Sequence, residues 1–224
     1  MTEEAKSFLN KERYDINDLR TIMKMLRSKD GCPWDIEQTH KSIRDNFIEE
    51  TYEVVEAIDT ENPALMREEL GDVLLQVIFH SQISEEDGEF TFDDVADEIC
   101  RKLIIRHPHV FGDVSVNSVG DVLTNWDDIK KATKHQKDVG EVLDSVARSL
   151  PSLMRASKLA KKAEKAGVYH SEDIFREISE DELSEKIGKQ LFEISASAAK
   201  HGIDPEHALY DYCDKFIEKE KNNI

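Results

Sequence analysis

The sequence predicts an all-α protein, an antiparallel helical bundle made of two related helical units. Three observations carry that expectation. Apolar residues recur at spacings of three and four nearly throughout, no segment shows the alternation of a strand, and the punctuation between segments is that of helix ends. Composition agrees: 39% hydrophobic and 35% charged residues, with nine glycines and five prolines, suit a charged helical protein better than a turn-rich sheet.

The first strong helix follows Asp15 as a cap and lines up Ile16, Leu19, Ile22, Met23 and Leu26; it ends in the turn signal Asp30-Gly31-Cys32-Pro33-Trp34. A second is expected from about Ser42 to Asp59. A third has Asn62 as its cap, Pro63 in its first turn, and Glu68 and Glu69 near the positive end of its dipole. Its apolar run reaches Ile83, and Asp87-Gly88 closes it. A fourth starts after Thr91 and stops before Pro108, at Arg106. Ser118 to Thr133 is another. The second half repeats the style, with helices expected over Pro151 to Ala166, Ser171 to Ile178, Asp181 to His201, and Pro205 to Lys221.

Charge narrows the function classes. A formal net charge of −18 repels nucleic-acid phosphates, so no nucleic-acid partner is expected. A small phosphate ligand stays compatible, because a bound cation inverts the local potential. Cys32, Cys100 and Cys213 lack metal or disulfide spacing and read as free thiols of a reducing compartment. No stretch approaches the roughly 18 apolar residues of a membrane span, so a cytoplasmic protein with no membrane partner is expected.

The chemistry-bearing residues are acidic. Glu50 and Glu53 point within about 60° of each other on one helix, and Glu69 and Asp72 repeat that geometry on the next. Two antiparallel helices presenting two carboxylates each would offer an oxygen donor set for a hard cation, Mg²⁺ or Mn²⁺. The same spacing also suits a solvated face: Glu49, Glu53 and Glu56 stand opposite a stripe of Phe47, Thr51, Val55 and Ile58 on the helical wheel. Glu69 and Asp72 fit that reading less well, since Leu65, Gln76 and Ile83 share their side, and buried acids without a cation are costly. Lys102 and Arg106, four apart, suit a clamp on one polyphosphate or salt bridges to neighbouring acids. Trp34 and Trp126 are candidates for stacking on a base, or for the core. Glu37-x-x-His40 has the spacing of a di-iron ligand pair, but the second motif that such a bundle needs does not occur.

A thin internal repeat lays Glu69-Leu70-Gly71-Asp72 on Lys186-Ile187-Gly188-Lys189, and Lys102 and Arg106 on Lys215 and Lys219. The acids have become lysines, which cannot coordinate Mg²⁺ while protonated. The expected division is residues 1–138 as the unit carrying the chemistry and 139–224 as a degenerate copy without metal ligands.

Five motifs together, Asp30-Gly31-Cys32-Pro33-Trp34-Asp35, Glu37-Gln38-Thr39-His40, Glu49-Glu50-x-x-Glu53, Glu69-Leu70-Gly71-Asp72 and Arg106-His107-Pro108-His109-Val110-Phe111, resemble the MazG family in order and spacing. Ser149-Leu150-Pro151-Ser152-Leu153-Met154-Arg155-Ala156 resembles the segment opening the second domain of two-copy members. The resemblance implies the all-α NTP pyrophosphohydrolase fold, a homodimer or higher homo-oligomer, and Mg²⁺-dependent hydrolysis of nucleoside triphosphates to monophosphate and pyrophosphate. That activity would serve nucleotide-pool housecleaning. Carried over by motif, Glu50, Glu53, Glu69 and Asp72 would hold the metal. Glu49 or Glu53 would activate water, and Lys102 and Arg106 would contact phosphate. The alternative is a weak or silent nucleotide-binding regulator, a helical dimer with a vestigial site.

Overall fold

The computed structural model of the chain describes residues 3–116, 118–122, 125–126, 129, 138–170, 175 and 179–222. Among these residues every regular element is a helix, as the sequence predicts. Contacts gather the chain into two units, Met1–Asn117 and Ser118–Ile224.

The first unit contains α1 (Glu3–Leu9), α2 (Ile16–Leu26), α3 (Pro33–Glu37), α4 (Arg44–Asp59), α5 (Pro63–Asp87), α6 (Phe92–Arg106) and α7 (Pro108–Phe111). Its spine is α5, whose 25 residues run roughly 37 Å. Helices α2, α4 and α6 all pack on it. The ends of α5 are set by local chemistry. The Asn62 side chain accepts from the backbone N–H groups of Ala64 and Leu65, and Pro63 occupies the first turn, where its missing donor costs nothing. Gly88 stops the helix at φ +72°, a left-handed conformation open to glycine without strain. Asp15 with Asp18, and Thr91 with Asp94, close capping boxes at the starts of α2 and α6.

The apolar core lies at the carboxyl-terminal half of α5. Ile78, Phe79 and Ile83 meet Met23 of α2 and Ile43, with Leu19, Leu75 and Phe92 around them. Arg27 fastens this end: its guanidinium pairs with Glu86 (Nη2 to Oε2, 2.7 Å), lies 5.3 Å from the Phe79 ring centroid, and donates to the Gln38 carbonyl at 3.2 Å. One side chain thereby ties the end of α2 and the segment after α3 to α5.

The orientation of α4 differs from the wheel drawn on its apolar residues. Val55 and Ile58, expected to face the core, are exposed, and Thr51 is exposed too. The side turned to α5 carries Phe47, Glu50, Val54 and the fully buried Ala57. Apolar residues occur on both sides of this helix, and its period alone does not say which side meets the spine.

A histidine pair joins the segment before α4 to α5. His40 Nδ1 and His80 Nδ1 are 2.7 Å apart, with ring planes parallel to 1° and centroids 5.0 Å apart, so the rings meet edge to edge. One nitrogen donates and the other accepts. His40 Nε2 lies 3.3 Å from Oγ of the buried Ser84, and Phe47 covers the His80 ring. Burial, and then the neighbouring His40, hold the His80 imidazole below the ordinary histidine range.

The second unit contains α8 (Val139–Asp144), α9 (Ser152–Lys165), α10 (Glu180–Lys200) and α11 (Pro205–Asn222). Leu143, Val146, Leu159, Ala163, Cys213 and Ile217 form its core. Arg155 is fully buried there, paired with Asp214, and its cation lies 4.8 Å from the Tyr210 ring centroid. Most of α10 is exposed, including Phe192 and Ile194. Of the helices expected from sequence, that over 171–178 apart from Phe175, and half of that over 118–133, lie outside the described residues. Short α1, α3, α7 and α8 were not anticipated.

The depressed His80 pKa has a definite sign. The neutral form stabilises the fold fully above the unfolded histidine value near 6.5, and that contribution is lost as pH falls from there through the lower folded value. We expect the stability advantage of the natural protein over His80→Asn, read from urea midpoints, to narrow between about pH 7.5 and about pH 5. A gap independent of pH would contradict the pairing.

Candidate metal centre

The acids come from two antiparallel helices that pack along much of their length, α4 and the amino-terminal half of α5. Glu50 offers one oxygen, Glu69 and Asp72 one each, and the three atoms lie within 4.8 Å of one another. Glu69 and Asp72 share a side of α5 because they are three residues apart, and that side faces α4. Glu50 reaches them because the inward side of α4 carries it between Phe47 and Val54. Glu53, one turn along, is half-buried beside both Glu50 and Glu69 and close enough to hydrogen-bond each. Glu49 is exposed.

The electrostatics are those of crowded like charges. Burial first, then the hydrogen bond with Glu53 and the charges of Asp72, Glu53 and Glu69, raise the Glu50 carboxyl above its usual range. Glu69, only 8% exposed, is raised by burial and then by Glu53, Asp72 and Glu68. No cation of the protein is among the causes of either shift. The donor set fits a hard divalent ion: all ligands are oxygens, they are preplaced within reach of one centre, and their ionised form needs an opposite charge. Magnesium bonds at about 2.0–2.1 Å, so modest rotamer adjustment brings donors at this spacing onto one ion. Glu50, Glu53, Glu69 and Asp72 are the residues that would hold it.

With this geometry in view, residues 38–111 match the MazG nucleotide pyrophosphohydrolase domain. The chain is also 41% identical over 220 residues to the nucleoside triphosphate pyrophosphohydrolase/pyrophosphatase MazG of Thermotoga maritima, covering 91% of this chain and 83% of that protein. This chain belongs to the MazG family. The nucleoside triphosphate pyrophosphohydrolase of Escherichia coli K12 is 39% identical over 221 residues, covering 90% of this chain and 84% of its own. Protein YabN of Bacillus subtilis is 52% identical over 148 residues, 66% of this chain, and the match spans only 30% of YabN. A solved mazG-related protein of Thermotoga maritima bears a looser likeness, with 23% identity and a TM-score of 0.45 over 52% of this chain and 99% of that one.

The remaining candidates of this MazG chain fall in several places. Lys102 and Arg106 project from α6, the first exposed and the second half-buried, and among the described residues neither is in an ion pair. The salt-bridge alternative raised from sequence therefore has no partner in the first unit as described. Trp34 is 58% exposed and meets Phe79 edge-on at 6.4 Å, so it is only anchored at the edge of the core. Trp126 belongs to the second unit and is half-buried. Lys186 and Lys189 stand on α10, where Lys189 lies 3.9 Å from Glu193 and Lys186 lies over the Phe175 ring.

Gln76 follows Asp72 by one turn and is 8% exposed, and its Oε1 has no hydrogen-bond partner. An unsatisfied buried group of this kind costs roughly 1–3 kcal/mol. The sequence pattern put Gln76 on the side of Glu69 and Asp72 but gave no sign of its isolation. The pairing of His40 with His80 had no sequence signal, since it joins residues 40 apart.

Because the folded Glu50 pKa is raised, the metal-free protein loses stability as pH climbs from the unfolded glutamate value toward the folded one. Glu50→Gln should therefore melt higher than the natural protein at neutral pH without metal. Three like-charge contacts of roughly 0.2–0.5 kcal/mol each imply a gain of about 1–6 °C, and the gap should close below about pH 4. Differential scanning calorimetry at several pH values checks this.

Proposed function

We propose that this chain hydrolyses nucleoside triphosphates to the nucleoside monophosphate and pyrophosphate, with Mg²⁺ as its cofactor and Mn²⁺ as a substitute. The observation that carries the proposal is the convergence of Glu50, Glu69 and Asp72 from two helices, with the Glu50 and Glu69 carboxyls raised by burial and by their acidic neighbours. The names of the relatives support the same reaction.

A divalent ion held by these acids supplies charge neutralisation for the triphosphate and acidifies water. The chain's own groups do the rest. Glu53, beside the other acids, is better placed than the exposed Glu49 to take a proton from the attacking water. Lys102 and Arg106, one turn apart and without ion pairs among the described residues, hold the negative charge that builds on the departing pyrophosphate. The exposed Trp34 is the base-stacking candidate of the first unit.

The biological role that fits is housecleaning of the nucleotide pool in the cytoplasm. A homodimer accords with the apolar side chains that α4 leaves exposed, Ile48, Tyr52, Val55 and Ile58. The second unit, with lysines where the first has Glu69 and Asp72, is a degenerate copy without a metal site of its own.

Purified protein given a panel of common and damaged nucleoside triphosphates should release pyrophosphate steadily with Mg²⁺. Glu53→Gln and Asp72→Asn should each lower kcat at least about 100-fold, in keeping with loss of a general base or a metal ligand. Absence of turnover across the panel, with nucleotide binding retained, would replace this reading with that of a silent regulator.

A further inference from the structure

Among the described residues, Gln76 is a buried side chain on the acids' side of α5 whose polar end is left alone. Its Oε1 is enclosed and makes no hydrogen bond. Asp72, one turn before it, is an acceptor when ionised. His80, one turn after it, has its Nδ1 committed to His40. Long side chains on a helix lean toward its amino terminus, over the preceding turn, and for Gln76 that turn holds Asp72. That general lean would carry the amide toward Asp72, which stands with Glu50 and Glu69.

A donor fit for this position comes with the cation. Magnesium gives up its waters reluctantly and keeps several when carboxylates bind it. The protons of those waters are polarised outward and need acceptors. An amide oxygen is a suitable one: it accepts without adding another negative charge to a site already crowded with acids. Partners of this kind, outside the directly bound set, fix the orientation of what the metal carries.

We propose that Gln76 is a positioning residue of the metal centre, its Oε1 accepting a hydrogen bond from a water molecule carried by the cation. The inference rests on the metal-dependent reading of the acidic cluster and adds a residue that the family motifs leave out. In the metal-free protein the same oxygen is a liability, so the site favours the loaded state twice over, by its charges and by its amide.

The test uses the full chain and Mn²⁺ as the probe, with affinity read by electron paramagnetic resonance and stability by calorimetry. Gln76→Met keeps the volume and removes the acceptor. We expect it to bind Mn²⁺ about 10-fold to 100-fold more weakly, while melting higher than the natural protein when metal-free. Gln76→Glu keeps an acceptor oxygen at the same reach and should hold Mn²⁺ at least as tightly as the natural protein. A Gln76→Met protein that melts lower and binds Mn²⁺ unchanged would make Gln76 a packing residue and overturn the proposal alone, provided Asp72→Asn still abolishes binding. Failure of the natural protein to bind Mn²⁺ at all would overturn the metal reading and this inference with it.

Discussion

The structure of the first unit turns on a repulsion. Helices normally meet through apolar or neutral residues, yet α4 and α5 approach each other with Glu50, Glu53, Glu69 and Asp72 between them. Carboxylates in such company take up protons more readily, as the raised Glu50 and Glu69 pKa values show. Something else must hold the helices together meanwhile. The apolar core of Met23, Ile43, Ile78, Phe79 and Ile83 does so at the far end of α5, with Arg27 and the histidine pair fastening the connecting segment.

Much of this was legible in the sequence because it is local. Asn62-Pro63 and Asp87-Gly88 mark α5 at both ends, and Thr91 and Pro108 bracket α6, since a cap or a missing donor acts within one turn. The acids were legible as pairs for the same reason. Which side of α4 faced inward was not. Val55 and Ile58 are as apolar as any core residue, and only the packing of α5 shows that the chain keeps them outside and places Glu50 inside. The family motifs single out Glu50, Glu69 and Asp72, which the fold brings together, where the wheel sets Val55 and Ile58 inward, because matched motifs carry the outcome of packing without having to derive it. His40 with His80, and the isolation of Gln76, depend on contacts or their absence across the fold and leave no mark on a local pattern.

In the second unit the thin sequence repeat sets lysines opposite Glu69 and Asp72. Lys186 and Lys189 occupy an exposed helix, engaged with Phe175 and Glu193, and its core of Leu143, Leu159, Cys213 and Ile217 is built from other helices. Of the buried ionic groups described there, Arg155 is answered by Asp214, and Glu220 has Lys219 at 3.9 Å. Here charge is balanced by protein, whereas no cation of the protein is among the causes of the Glu50 and Glu69 shifts in the first unit.

The separation of core and acids along α5 has an evolutionary consequence. Leu75 to Ile83 support the fold, while Glu69 and Asp72 sit nearly two turns or more from its centre, where they add strain instead of support. Replacing them removes a burden from the folded chain. Selection for foldability alone would therefore erode this site and leave its scaffold intact. Burial among other acids makes Glu50 and Glu69 costly to the folded chain, so foldability alone does not account for them.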